Sequence, residues 1–174
     1  MVIKKRFMTT WKIKCFDELK NQELYDILKL RSMVFVVEQN CIYQDIDDKD
    51  LKSWHLLGYQ HNELVAYLRI IPQGISYPEA SIGRVVTHPD YRKKGLGIEL
   101  MKTGIEKTLN QFNADKIKIS AQCYLIKFYS DLGFLAQGEE YLEDDIPHIH
   151  MIYSNRLFQF LFKIFSSMAC FYFD

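Results

Sequence analysis

The sequence predicts a single mixed α/β domain, and three observations support this fold class. The chain has 174 residues, of which 48% are hydrophobic and 25% charged, as expected of one globular domain with its own core. Short apolar stretches typical of strands alternate with longer segments whose apolar residues recur at helical spacing. No internal repeat, low-complexity segment or linker interrupts the chain. We therefore expect one central sheet with helices packed against it.

The first half of the chain is expected to form a strand, a helix and three further strands. Asp17 is predicted to cap the helix, whose apolar stripe continues to about Val37. An acidic loop is expected at 39–50. Two later strands flank the pair His61 and Asn62, which predicts an antiparallel hairpin. The predicted strands are 11–16, 53–60, 63–72 and 80–87.

The second half is expected to form two helices and three strands. The longer helix opens with glycines, and Gly133 closes the shorter one. The predicted elements are a helix at 94–112, a strand at 117–122, a helix at 124–132, and strands at 134–141 and 147–153.

The end of the chain differs from the rest in composition. Residues 157–173 are almost all apolar around Lys163, which predicts an extra apolar helix. We divide the chain into an extension at 1–9, a domain at 10–154 and a tail at 155–174. The tail is shorter than the roughly 20 apolar residues that span a bilayer. We expect it to dock on its own domain or on a twin subunit in a homodimer, with contact to a membrane surface as the alternative.

Charge and cysteine content exclude several kinds of protein. Lys plus Arg total 22 and Asp plus Glu total 22, so the formal net charge is zero, which argues against nucleic acid as a partner. No metal is expected, because the acidic run fails the calcium-loop pattern at Asp50 and Leu56. The absence of a secretory signal and of paired cysteine spacings predicts reduced thiols in a cytoplasmic protein. The cysteines are Cys15, Cys41, Cys123 and Cys170.

The strongest functional signal is VTHPDYRKKGLG at residues 86–97. A strand ends here, a proline-bearing turn follows, and Arg-x-x-Gly-x-Gly opens a helix. Free amide hydrogens and the helix dipole favour phosphate at such a point. The spacing fits neither the dinucleotide fingerprint nor the P-loop. The segment therefore predicts an anion site, with a packing role for the glycines as the alternative. Its basic and glycine residues are Arg92, Lys93, Lys94, Gly95 and Gly97.

This segment resembles motif A of the GNAT superfamily of acyl-CoA-dependent N-acetyltransferases, whose loop of this pattern holds the pyrophosphate of coenzyme A. The resemblance implies acetyl-CoA as co-substrate and a central, mixed, mostly antiparallel sheet. In that family the strand before the loop splays from its neighbour and binds the pantetheine arm. The implied cofactor contacts are Val85, Val86, Thr87, Arg92, Lys93, Lys94, Gly95, Leu96, Gly97 and Tyr129.

A second family element, FYSDLGF at 128–134, places Tyr129 where the family has its general acid. When an amine attacks a thioester, the leaving thiolate needs a proton, which a tyrosine hydroxyl can donate. The resemblance implies this catalytic role, and simple packing beside Phe128 is the alternative. Gln122 and Leu125 depart from the pattern, since many relatives have Asn and Ala there.

A third resemblance narrows the branch. FVVEQNCIYQDIDDKD at 35–50 and IPHIHM at 146–151, together with His55, resemble the ElaA-like branch of GNAT proteins. Substrates in that branch are poorly defined, so this resemblance implies a cofactor and a reaction type rather than a particular acceptor.

The acceptor side should hold a group that takes a proton, because an amine is protonated at neutral pH. Glu38, at the end of the first helix, is the preferred candidate base, with a solvated charge as the alternative. The acidic runs at 45–50 and 139–145 either attract a cationic amine or are solvated loops. Further substrate-side candidates are His55, Glu143 and His148.

The sequence thus predicts an enzyme that transfers an acetyl or other short acyl group from acyl-CoA to the primary amine of a small molecule or peptide. Direct attack, without a covalent enzyme intermediate, is the expected mechanism. The alternative is a non-catalytic acyl-CoA sensor or interaction module.

Overall fold

A seven-stranded sheet forms the centre of the protein. The computed structural model describes residues 8–155. Neighbouring strands are antiparallel except β4 and β5, which are parallel, so the predicted mixed, mostly antiparallel sheet is confirmed. The order across the sheet is β1-β2-β3-β4-β5-β7-β6. The strands are β1 Thr10–Cys15, β2 Trp54–Gln60, β3 Glu63–Ile71, β4 Ala80–Thr87, β5 Lys116–Gln122, β6 Phe134–Glu143 and β7 Ile146–Ser154.

Helices cover both faces of the sheet. They are α1 Asn21–Arg31, α2 Leu96–Phe112 and α3 Ile126–Ser130. The long helix α2 buries Leu100 and Met101 in a core with Leu68 of β3. On the other face, α1 buries Ile27 in a second core with Tyr67 of β3. Burial of these apolar side chains, at roughly 25 cal/mol per Å², is what holds the helices on the sheet.

Two tight turns close the hairpins of the sheet. His61 and Asn62 have φ of 52° and 64°, the left-handed pair that a two-residue hairpin turn requires, so the predicted β2–β3 hairpin is confirmed. Asp144 and Asp145 repeat this geometry with φ of 50° and 62°. They join β6 to β7, and both strands extend beyond their predicted ends.

The start of the first helix differs from its prediction. Asp17 lies in a short 3-10 turn, and α1 begins only at Asn21. The helix start is stabilised by Glu23, whose carboxylate accepts hydrogen bonds from the Lys20 amide at 3.0 Å and the Lys14 ammonium at 2.6 Å. This carboxylate therefore satisfies one backbone donor at the helix start, the capping role that was predicted for Asp17.

The end of that helix is wider than an α-helix. Residues Ser32–Glu38 form a π-helical turn, in which the Gln39 amide donates to the Val34 carbonyl five residues back. Such turns are frequent at functional sites, and this one carries Glu38 to the cleft described below.

The acidic run at 45–50 was expected to be a solvated loop or a site for a cationic amine. Neither holds for Asp45, Asp47 and Asp50, which are ion-paired to arginines. Asp45 and Asp50 are buried. Asp45 accepts from Arg31 Nε at 2.8 Å and from Arg84 Nε at 2.6 Å, while Asp50 accepts from Arg31 and Arg69 at 2.9 and 2.7 Å. These ion pairs fix the loop on β3 and β4, and they leave the buried carboxylates no open position for a cationic amine.

Some predictions fall on residues outside 8–155. The apolar tail at 157–173 and Cys170 are among them. Cys15, Cys41 and Cys123 are free thiols. Between residues 8 and 155, no helix is long and apolar enough to cross a membrane.

Candidate active site

The sheet opens between its two parallel strands. β4 and β5 pair only at Ala80 with Ile117 and at Ser81 with Lys118. Beyond these pairs the strands separate, and β4 bulges where Arg84 takes a left-handed φ of 51°. The wedge forms a cleft of about 560 Å³. Its β4 wall includes Val85, Val86 and Thr87, the residues predicted to bind the pantetheine arm.

The N-terminus of α2 lies beside this cleft. Gly95 caps the helix with φ of 81°, which L-residues rarely adopt. The first intrahelical bond runs from the Glu99 amide to the Gly95 carbonyl, so the amides of Leu96 and Gly97 have no helical partner. A methyl group at Gly95 would meet open space, so conformation rather than room explains this glycine.

The loop before α2 suits phosphate groups. Lys93 is also left-handed, with φ of 61°, and successive amides in such turns make a concave anion site. Arg92 lines the cleft, and Lys94 donates to the Asp90 carbonyl at 3.1 Å. Residues 93–97 follow Arg92 in the chain and are not part of the cleft lining. The backbone amides and basic side chains of this loop are donors of the kind that phosphate groups require.

Tyr129 on α3 lies in the cleft wall and is only 7% exposed. Its ring packs edge-on between Phe128 at 5.0 Å and Phe134 at 5.9 Å. Burial raises the pKa of the Tyr129 phenol far above its usual range, and the nearby Tyr124 adds to the shift. The phenol is therefore protonated at neutral pH, as a general acid must be. Packing and a proton-donor role are compatible here.

Glu38 pairs with the predicted phosphate loop. Its carboxylate accepts two hydrogen bonds from the Arg92 guanidinium, at 2.5 and 2.8 Å. The hydrogen bond from Arg92 lowers the pKa of Glu38, which opposes proton uptake. The base role for Glu38 stays a prediction, and this ion pair weighs against it.

Two other substrate-side candidates do reach the cleft. Glu143 accepts a hydrogen bond from Ser120 Oγ at 2.8 Å, and Ser120 is also bonded to Tyr141 Oη at 2.6 Å. His148 Nδ1 lies 2.8 Å from the Ile146 carbonyl. A carbonyl only accepts, so Nδ1 carries the proton and Nε2 is the basic nitrogen.

His55 is not brought to the cleft. It is buried in the interior, where Nδ1 lies 2.8 Å from Tyr67 Oη and Nε2 lies 3.1 Å from the Asp50 carbonyl. Burial lowers the pKa of His55, so it is neutral at pH 7. Its position is that of a hydrogen-bonded core histidine rather than a substrate-side residue.

The structure adds cleft residues that were not among the predicted site residues. Gln39 and Gln122 are hydrogen-bonded across the cleft at 3.3 Å. Lys49, Arg69 and Arg84 also line it. One signal was available, because Arg69 interrupts the apolar run of β3, and a charge in a buried strand is paired or functional.

No metal site emerges from the part of the chain that the structure describes. Its His, Cys, Asp and Glu side chains form no group of three or more that could hold an ion. Asp45, Asp47 and Asp50 of the 45–50 run instead pair with Arg31, Arg69 and Arg84.

Comparison with known proteins shows the family. Residues 17–154 match the model of the acetyltransferase (GNAT) domain, and the chain belongs to this family of acyltransferases. Escherichia coli ElaA is 40% identical over 146 residues, which is 83% of this chain and 95% of ElaA.

Solved structures agree with this assignment. An acyl-CoA N-acyltransferase from Pseudomonas aeruginosa is 39% identical, with a TM-score of 0.80 over 84% of this chain and 100% of that one. The crystal structure of E. coli ElaA is 39% identical with a TM-score of 0.79, and the match covers 84% of this chain and 100% of that one. The chain is thus similar to ElaA-like proteins across its domain.

Proposed function

We propose that this protein transfers an acetyl group from acetyl-CoA to the primary amine of a small molecule or peptide. One observation carries the proposal. The wedge between β4 and β5 opens a cleft whose lining includes both Arg92, from the loop before α2, and the buried, protonated Tyr129. This arrangement suits a phosphate-bearing thioester that must present its sulfur to a proton donor.

Binding of the cofactor is assigned to the loop and the wedge. The left-handed loop and the free amides of α2 would hold the pyrophosphate, with Arg92, Lys93 and Lys94 balancing its charge. The separated part of β4 leaves backbone groups facing the wedge, where they can pair with the amides of the pantetheine arm.

The chemical step is a direct attack. The amine nitrogen bonds to the thioester carbonyl carbon, the carbon–sulfur bond breaks, and the Tyr129 hydroxyl donates its proton to the leaving thiolate. General acid catalysis of this kind contributes about 10²- to 10⁴-fold. Placing both reactants in one cleft lowers the entropic part of the barrier.

Removal of the amine's proton is assigned to the β6–β7 side of the cleft. His148 Nε2 is a basic nitrogen in its lining, and Glu143 supplies a carboxylate there. Glu38 is instead ion-paired with Arg92. His148 is therefore our first candidate for the proton acceptor.

Calorimetric titration with coenzyme A tests the binding half of the proposal. The wild type should bind, and the double variant Lys93→Gln/Lys94→Gln should bind at least about tenfold more weakly, since two cations face the phosphates. The matched control is Lys102→Gln/Lys107→Gln on the body of α2. Absence of coenzyme A binding to the wild type would refute the proposal.

Thiol release from acetyl-CoA tests the catalytic half. Release that depends on an added amine supports transfer. Binding of coenzyme A without release for any amine would instead indicate a non-catalytic acyl-CoA-binding module.

A further inference from the structure

The acceptor end of the cleft carries both signs of charge, on opposite sides of the wedge. The β3–β4 side contributes Arg69 from β3 and Ser76 from the β3–β4 loop, and the loop before β2, which is ion-paired to β3 and β4, contributes Lys49. The β6–β7 turn, across the wedge, contributes Glu143 and Asp144. The first group supplies hydrogen-bond donors, and the second supplies carboxylates. A ligand that meets both must itself carry an acceptor group and a cationic group.

The donors on the first side are not fully used by the protein. Arg69 is 2% exposed and its Nη1 is bonded to Asp47 and Asp50, but its Nε is buried without a partner among the described residues. Ser76 Oγ is likewise buried without a described partner. Buried donors are almost always paired with protein atoms or ordered water. Both residues line the cleft, so a ligand atom there can supply the missing partner.

Lys49 adds a net positive charge to this side. Its backbone amide is held by Asp47 at 3.1 Å, and within residues 8–155 its ammonium has no carboxylate within ion-pair distance. Arg69 and Arg84 are paired with Asp47, Asp50 and Asp45. Lys49 is thus the lining cation on this side that the protein does not neutralise.

The opposite side suits an ammonium group. Glu143 uses one oxygen to accept from Ser120 Oγ, and its other oxygen remains available within the described residues. Asp144 is exposed at the tip of the turn. The loop that carries Lys49 touches the β6–β7 turn, where Cys41 Sγ reaches the Asp144 carbonyl at 3.9 Å. This contact joins the two sides at one point, which favours a small ligand over an extended one.

We infer that the acceptor is a small zwitterionic amine of the amino-acid class, with its carboxylate on the Lys49, Arg69 and Ser76 donors and its ammonium against Glu143 and Asp144. This inference rests on the proposed function. It goes further by naming the acceptor class, because a simple alkylamine or polyamine would leave the buried donors unpaired. A peptide amino terminus lacks the adjacent carboxylate.

Matched acceptor pairs test the inference. Each free amino acid and its carboxamide are assayed for thiol release at saturating acetyl-CoA. For the best acceptor, kcat/KM should be at least about tenfold higher for the free acid, as expected for hydrogen bonds to a charged group. In Lys49→Gln that ratio should fall about tenfold, whereas Lys52→Gln, three residues away and outside the cleft, should keep it.

Two results would overturn the inference while the proposed function stands. One is turnover of amides or simple amines that equals or exceeds that of the free acids. The other is a Lys49→Gln ratio equal to that of the wild type. If no pair is turned over, calorimetry of the same pairs against the coenzyme A complex decides: tighter binding of the free acid supports the inference, and no binding overturns it.

Discussion

Glu38 and Arg92 form a two-pronged ion pair at the cleft, with nitrogen–oxygen distances of 2.5 and 2.8 Å. One partner comes from the π-helical turn after α1 and the other from the loop before α2. In the proposed function this arginine serves a phosphate group. Glu38 therefore competes with the cofactor for Arg92.

Glu38→Gln should strengthen coenzyme A binding. Removing the charge frees Arg92 and removes repulsion of the phosphates. Partly exposed ion pairs contribute little, so we expect a gain of about two- to fivefold in affinity by calorimetry. Glu139→Gln, an exposed acid outside the cleft, is the control. Weaker binding in Glu38→Gln would mean that the carboxylate helps to hold the cofactor.

Tyr129→Phe should slow the chemical step. The change keeps the packing between Phe128 and Phe134 and removes the donated proton, so kcat should fall about 100-fold or more. Coenzyme A affinity should stay within about twofold, because the ring remains. Steady-state kinetics and calorimetry measure the two effects. Unchanged kcat would exclude the proton-donor role.

The pH profile offers a separate check on Tyr129. Its raised pKa keeps the phenol protonated well above neutral pH, so kcat should not decline between pH 7 and about pH 10, the ordinary tyrosine pKa. If kcat declined in that range in the wild type but not in Tyr129→Phe, the Tyr129 phenol would ionise at a lower pH than its burial predicts, which would contradict the account.

Gly95 and Gly97 should respond differently to alanine. Gly95→Ala places a side chain at φ of 81° and should lower the free energy of unfolding by about 1 kcal/mol. Gly97→Ala adds a methyl group only 3.8 Å from Phe128 Cζ, an ordinary contact, and should leave that free energy equal or higher because alanine favours a helix. Urea unfolding measures both. Equal losses would contradict the conformational explanation of Gly95.

The buried ion pairs predict a large effect at Asp50. This carboxylate pairs with Arg31 and Arg69, which are both buried. Asp50→Asn leaves their charges underpaired and should lower the free energy of unfolding by about 3 kcal/mol. Asp48→Asn, two residues away and exposed, should change it by less than about 0.5 kcal/mol. Similar effects for the two variants in urea unfolding would contradict the network.

His55 predicts how stability varies with pH. Its pKa is lowered by burial, so below about pH 6.5 the unfolded chain binds a proton that the folded chain refuses. The free energy of unfolding should therefore fall between pH 7 and pH 5, and His55→Gln should flatten that slope. His150, whose pKa burial also lowers, adds to the slope in the same direction and remains in the variant.

Local patterns predicted much of the fold. Alternating apolar residues placed the strands, and the His61–Asn62 pair identified a hairpin. The prediction of Asp17 as a helix cap was wrong, because Glu23 accepts the hydrogen bond from the backbone at the helix start. Lys14 of the preceding strand holds Glu23 in place. The alternation of apolar and polar residues within one strand could not reveal the bulge at Arg84, because the bulge is defined by how β4 pairs with β3.

The part of the site that was predicted from sequence lies within one short segment of the chain. The glycines and basic residues before α2 lie within six positions, so their spacing was informative. The partners that the sequence analysis missed are distant in the chain. Glu38 lies 54 residues from Arg92, and Asp45 lies 39 from Arg84. Only the folded sheet brings such pairs together, so no local pattern predicts them.

Product analysis tests the central claim most directly. The wild-type protein is incubated with acetyl-CoA and a panel of primary amines that includes the free amino acids, and mass spectrometry detects any N-acetylated amine. We predict acetylated product with the wild type and at least about 100-fold less in Tyr129→Phe. No acetylated amine above the level of a protein-free control, from a wild type that binds coenzyme A, would contradict the account.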